Sequence, residues 1–203
     1  MRLTNSEIRA KARAALGGQI FSNKWLTALL ISLAISAVLG AANSISCGVA
    51  VFLLTGPLYL GLNLAYLKLA RGEEMKFENA FAGMNDFGSN LVLGFMQMLL
   101  VSLWSLLCFI PGIIKGYAYS MTYFIKADHP EYGWRECLNE SERMMKGHKM
   151  DYFCLELSFL GWIIVGTLAC GIGTLWVTPY MSTANAIFYE ELKRAEFGFS
   201  TAE

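Results

Sequence analysis

Hydrophobic residues along this chain gather in three long stretches that are almost free of charge. The stretch from Trp25 to Leu67 has no charged residue, that from Phe87 to Ile125 has only Lys115, and that from Tyr152 to Tyr189 has only Glu156. A helix needs about 20 apolar residues to cross a bilayer core of about 30 Å. Each stretch is therefore long enough to cross a membrane twice.

A turn near the middle of each stretch would divide it into two antiparallel helices. Residues typical of turns lie there in all three cases: Asn43, Ser44, Ser46 and Gly48, then Pro111 and Gly112, then Gly171 and Gly173. The pattern predicts an all-α integral membrane fold. Its six transmembrane helices form three hairpins and cover residues 25–42, 48–69, 89–109, 112–126, 151–169 and 173–192.

A short amphipathic segment precedes each hairpin, at residues 5–17, 77–84 and 133–147. Apolar side chains recur in each at helical spacing, and Thr4 with Glu7 forms a capping-box sequence at the start of the first. Helices of this kind lie in the plane of the lipid headgroups. We expect three short helices on one membrane surface.

The second helices of the first and third hairpins also share a pattern. Their matching residues are Pro57, Asn63 and Lys68 in one and Pro179, Asn185 and Glu190 in the other. The chain can thus be interpreted as a single polytopic domain with a threefold parallel repeat, whose units cover about 4–70, 75–127 and 130–192. The alternative is coincidence, because any membrane hairpin has polar flanks.

Basic residues indicate the orientation, since cytoplasmic loops are enriched in Lys and Arg. With six spans, every Lys and Arg except Lys115 falls on one side. We expect a multi-pass protein of the cell membrane with both termini in the cytoplasm. Two alternatives concern single helices: the first span could be a cleaved signal peptide, and Gly56-Pro57 could break the second span into two half-helices rather than kink it.

Composition agrees with a membrane location. Hydrophobic residues make up 55% of the 203 residues, and charged residues only 16%, whereas soluble domains contain about 25% charged residues. The mean hydropathy is +0.44, and the formal net charge is zero. These values exclude a soluble enzyme, a nucleic-acid-binding protein and a disordered chain.

Four polar residues in the predicted spans form the candidate intramembrane site: Lys115, Asn63, Asn185 and Glu156. Ionisable residues within a membrane usually face protein or water. Lys115 either lines such a polar interior, with an Asn, Ser or Tyr from another hairpin as its partner, or extends to the outer headgroups. The two asparagines either bond backbone freed by the prolines or contact a solute, and Glu156 is expected near the cytoplasmic interface.

No motif in the sequence indicates catalysis. Metal-binding spacings, nucleotide-binding loops and nucleophile–base arrangements are all missing, so we predict no cofactor and no metal. Cys47, Cys108 and Cys170 lie near the predicted outer turns, where a disulfide could form, whereas Cys137 and Cys154 face the cytoplasm. All five are interpreted as small packing residues.

A series of short motifs identifies a resemblance to a known family. The motifs run from Ile110-Pro-Gly-Ile-Ile-Lys115 through Ala127-Asp-His-Pro130 and Met144-Met-Lys-Gly-His-Lys149 to Phe188-Tyr-Glu-Glu-Leu192, with Gly56-Pro57-Leu58 upstream. Together they resemble the bacterial integral membrane proteins called domain of unknown function 975, over nearly the whole chain. This resemblance implies a multi-pass bacterial membrane protein and supplies no activity, cofactor or catalytic residue.

Two functional interpretations follow. The first is a non-enzymatic protein that handles a solute or a lipid, in a transport-like role, with the bilayer and that small molecule as its partners. The second is an interaction or assembly protein whose cytoplasmic helices dock a protein partner on residues 128–149, with Trp134, Met144 and Met145 at the surface. An intramembrane enzyme is disfavoured because no catalytic constellation is present.

Overall fold

The computed structural model describes residues 4–18, 22–46, 49–107, 109–168 and 172–198, and all regular structure in these ranges is helical. The predicted all-α class is confirmed. In chain order the helices are α1 (Asn5–Ala15), α2 (Asn23–Ser46), α3 (Val49–Ala70), α4 (Phe77–Phe81) with a 3-10 turn (Ala82–Met84), α5 (Phe87–Leu107), α6 (Phe109–Ala118), α7 (Thr122–Asp128), α8 (Trp134–Met144), α9 (Lys149–Leu168) and α10 (Ile172–Gly198).

The three predicted amphipathic segments are helical, as α1, α4 with its 3-10 turn, and α8. At the start of α1 the backbone N–H of Thr4 donates to Oε2 of Glu7 over 2.6 Å, which is the reciprocal half of the predicted capping box. At the end of α1, Gly17 and Gly18 both have positive φ, as residues that follow a helix often do. α8 ends similarly at Met144, three residues before Gly147, which also has positive φ.

The helices continue through most of the residues predicted to form turns. Asn43, Ser44 and Ser46 belong to α2, and Gly173 belongs to α10, while Gly48 and Gly171 lie outside the described residues. α3 and α10 are continuous through Pro57 and Pro179, so the alternative of two half-helices at Gly56-Pro57 is wrong.

The predicted turn at Pro111-Gly112 is also wrong, because both residues lie in the first turn of α6. Proline is accepted there, since the first N–H groups of a helix have no intrahelical acceptor. Glycine is required at position 112 because a Cβ would collide with Ser105 of α5. These two residues therefore allow close packing of α5 and α6.

The predicted fourth span, 112–126, is not one helix. It is interrupted at residues 119–121, which separate α6 from α7. The side chain of Ser141 explains the break: its Oγ donates to the carbonyl of Ala118 over 2.8 Å and accepts from the N–H of Met121 over 3.2 Å. The hydroxyl of a distant helix thus bonds groups that a continuous helix would pair internally.

Contacts divide the chain into two compact units, of which the first lies within Met1–Leu33, Tyr66–Met75 and Met150–Glu203. In this unit α1 packs against α10, with Ile8 and Ala12 buried. α9 and α10 form an antiparallel pair, in which the ring of Phe159 meets that of Tyr180 edge-on at 5.0 Å. The end of α3 contributes Tyr66, whose hydroxyl bonds Ser32 over 2.6 Å.

The second unit lies within Ala34–Ala65 and Lys76–Lys149. Here α5 packs against α6 and α8, and α7 packs against α8. α3 approaches α5 closely at Gly56 and Gly94, where a Cβ on either residue would collide with the other helix. The rings of Tyr59 and Tyr123 lie 6.2 Å apart between α3 and α7.

Two helices in the described part of the chain are long and apolar enough to cross a bilayer. They cover Asn23–Ala41 and Phe87–Leu106, with mean hydropathies of 1.8 and 1.5. Only 22% and 11% of these segments are buried, so most of their residues are at least partly exposed. By length and composition both helices could cross a membrane. The core helix of a soluble protein or a signal sequence can have the same length and composition.

Candidate functional site

Lys115 lies near the end of α6 and forms an ion pair with a helix far along the chain. Its Nζ is 2.6 Å from Oε1 of Glu142 on α8. The exposed fractions of the two side chains are 23% and 43%, so solvent reaches the pair. The prediction of an Asn, Ser or Tyr partner from another hairpin is therefore wrong. Lys115 instead pairs with a carboxylate on an amphipathic helix.

Two aromatic rings surround the same ammonium group. Its Nζ is 5.6 Å from the ring centre of Trp104 on α5 and 5.6 Å from that of Tyr119, which directly follows α6. Cations at this distance are attracted to the negative face of an aromatic ring. The side chains of α5, α6 and α8 therefore hold Lys115 in one place.

α8 is fixed at this site by its apolar face. Cys137, Leu138, Ser141 and Met144 are buried, as is Met145 directly after the helix. The Leu138 side chain packs in a cluster with Ala118 and Tyr119, against which Trp134 is partly buried. The idea that Met144 and Met145 form a docking surface for a protein partner is therefore wrong, because both side chains lie inside the unit.

The polar face of α8 borders an open groove of about 500 Å³, lined by Asn139, Glu142, Arg143, Lys146 and Lys149. Within it Arg143 is paired with Glu140, Nε lying 2.9 Å from Oε2. This hydrogen-bonded guanidinium lowers the pKa of the Glu140 carboxyl. The side chains of Lys146 and Lys149 form no hydrogen bond or ion pair in the described part of the chain, so the groove has unpaired positive charge.

Of the other predicted site residues, Asn63 belongs to the same unit as Lys115, whereas Asn185 and Glu156 belong to the other unit. Asn63, in the same unit, donates from Nδ2 to the carbonyl of Tyr59 on its own helix over 2.8 Å. In the other unit, Oδ1 of Asn185 is buried without a hydrogen-bond partner among the described residues, and Glu156 is half-buried. No hydrogen bond or ion pair in these ranges joins Asn63 to Lys115 or Asn185 to Glu156.

The two cysteines among the described residues differ in burial. Cys47, Cys108 and Cys170 lie outside the described residues. Cys137 is buried, which raises the pKa of its thiol to about 11, and Cys154 is exposed. His129 stacks on Tyr132 with ring centres 4.6 Å apart. Within the described ranges no three His, Cys, Asp or Glu residues are grouped as metal ligands.

Comparison with known families gives one result. The family described as Protein of unknown function (DUF975) matches residues 1–115 and 106–196, which together include nearly the whole chain. The protein belongs to this family. No curated protein and no solved structure matches the chain.

Proposed function

We propose that this protein is a non-enzymatic, multi-pass protein of the cell membrane that handles a lipid or a small solute. It has six spans in three hairpins, with both termini in the cytoplasm. Three charge-poor stretches, two helices of membrane-spanning length and one-sided basic residues support this arrangement.

The burial pattern supports a hairpin repeat. Exposed apolar side chains are frequent on the first helix of each proposed hairpin, namely α2, α5 and α9. Buried side chains are frequent on the later helices α3 and α7 and on the second half of α10, whereas α6 exposes Ile110, Ile113 and Ile114. A lipid-facing first helix and a protein-facing second helix would give this difference, because lipid accepts apolar surface as readily as a protein core does.

The observation that carries the functional proposal is the ion pair of Lys115 and Glu142. An ammonium group in a predicted span is costly unless it is paired. Here the partner comes from α8, next to a groove with a charged lining. Such a site can hold a polar molecule or headgroup at the membrane surface.

Reporter fusions test the topology directly. Fusions after residues 75 and 140 should report a cytoplasmic position, and a fusion after residue 45 an external one. A cytoplasmic signal after residue 45 would overturn the proposed topology.

Substitutions of Lys115 test the site separately. Lys115→Met should fold but lose the thermal shift produced by any bound solute or lipid. Lys115→Arg should keep part of it, because a planar guanidinium pairs with Glu142 in a different geometry. Equal ligand responses of both variants and the parent would remove Lys115 from the site.

A further inference from the structure

We propose that the groove beside α8 is a binding site for a phosphate group, supplied by an anionic phospholipid. This inference rests on the membrane location proposed above and adds the class of ligand. The site consists of Asn139, Arg143, Lys146 and Lys149, with the Lys115–Glu142 pair at its border.

The charge balance at this groove favours an anion. Arg143 is neutralised by Glu140, and Lys115 by Glu142. Lys146 and Lys149 remain, with no carboxylate paired to either among the described residues. A phosphate diester carries one negative charge and a phosphate monoester up to two, so either would complement this pair of lysines.

The geometry of the groove suits a headgroup that enters from outside. It is open and has a volume of about 500 Å³, larger than a single phosphate requires. Asn139 adds an amide that can donate a hydrogen bond to a phosphate or glycerol oxygen. Glu142 cannot bind the anion because an ionised carboxylate has no hydrogen-bond donor. Its negative charge favours a singly charged diester over a doubly charged monoester.

A lipid source is favoured by what surrounds the site. α5, which packs against α8, exposes large apolar side chains, among them Met98 at 50% and Leu99 at 48%. In the proposed topology α8 lies on the cytoplasmic surface, where anionic headgroups attract basic residues.

The experiment uses the purified full-length chain in neutral detergent, titrated with a soluble short-chain phosphatidylglycerol while its thermal unfolding is followed. Each lysine near an anionic headgroup contributes about fivefold in affinity. Replacing both, as K146Q/K149Q, should therefore raise the half-saturating lipid concentration about thirtyfold. The E142Q variant should lower it, since one negative charge leaves the groove.

The matched control is K24Q/K76Q, which removes two exposed lysines that do not line the groove. It should titrate as the parent does. Unchanged binding by K146Q/K149Q, or equal losses in the two double variants, would overturn the phosphate site.

Two further ligands distinguish the sources of phosphate. Short-chain phosphatidylcholine, which has no net charge, should bind much more weakly than phosphatidylglycerol. Inorganic phosphate should give a smaller thermal shift at equal concentration. A phosphate shift that is as large as that of the lipid and is lost in K146Q/K149Q would overturn the lipid source.

The fusions after residues 45, 75 and 140 are independent of these titrations, so failure of the topology and failure of the site are distinguishable.

Discussion

α1 and α8 have the same type of sequence and differ in what their charges do. Both are amphipathic helices of 11 residues with a buried apolar face. On α1, Lys11 pairs with Glu191 of α10 over 2.8 Å, and Nε of Arg13 donates to the hydroxyl of Tyr180 over 3.2 Å. Beside α8, Lys146 and Lys149 have no such partner within the described ranges.

This difference separates a packing role from a binding role. The cations of α1 are mostly bound to groups of α10, although Nε of Arg9 is buried without a partner among the described residues. α8 is fixed by its apolar face and by Ser141, so its polar face remains open. An amphipathic pattern therefore predicts the buried face of a helix, while the neighbouring chain decides whether its charges are available to a ligand.

The largest effect is expected when α8 loses its hydrogen bonds to the break between α6 and α7. Ser141→Ala should lower the free energy of unfolding by about 2 kcal/mol, because the buried N–H of Met121 loses its acceptor. Thermal and detergent-induced unfolding measure this change. Ser158→Ala is the control, since that hydroxyl bonds only Leu155 of its own helix, and an equal loss there would contradict the role of Ser141.

A smaller effect is expected when the contact between α1 and α10 is weakened. Tyr180→Phe removes the hydroxyl that accepts from Arg13 and donates to the carbonyl of Arg9, but keeps the ring against Phe159. The free energy of unfolding should fall by about 1 kcal/mol. Tyr59→Phe is the control and should leave stability unchanged. A Tyr180→Phe variant as stable as the parent would show that α1 is held by apolar contacts alone.

Cysteine reactivity tests whether the apolar face of α8 is closed. Burial raises the pKa of the Cys137 thiol to about 11, so at pH 8 the unreactive thiol form dominates and little thiolate is present. In a variant with Cys137 as the sole cysteine, maleimide labelling should be slow at pH 8 and fast in denaturant. Rapid labelling of the folded protein at pH 8 would show that α8 is not docked.

The smallest effect is expected for the ion pair of Lys11 and Glu191, whose side chains are 46% and 21% exposed. Exposed pairs contribute about 0–1 kcal/mol. Lys11→Gln should therefore change the melting temperature of the protein by no more than a few degrees. A much larger fall would make this pair, rather than the buried residues Ile8 and Ala12, the main contact of α1.

The sequence predicted the helical class and the three amphipathic helices, because apolar periodicity and capping residues are local signals. It did not predict the break at residues 119–121 or the pairing of Lys115 with Glu142. Both depend on α8. The break is bonded by Ser141, which lies 20 residues from Met121 in the chain. The ion pair is formed by Glu142, which lies 27 residues from Lys115. Contacts between helices so far apart in the chain leave no periodic pattern in the sequence.

The central claim, that the cations beside α8 are available to a ligand and those of α1 are not, can be tested by one titration. The variants K146Q/K149Q and K11Q/R13Q each remove two positive charges, and both are titrated with short-chain phosphatidylglycerol. The account predicts about thirtyfold weaker binding for the first and parental affinity, at a lower melting temperature, for the second. Equal weakening in both variants, or weakening only in the second, would contradict it.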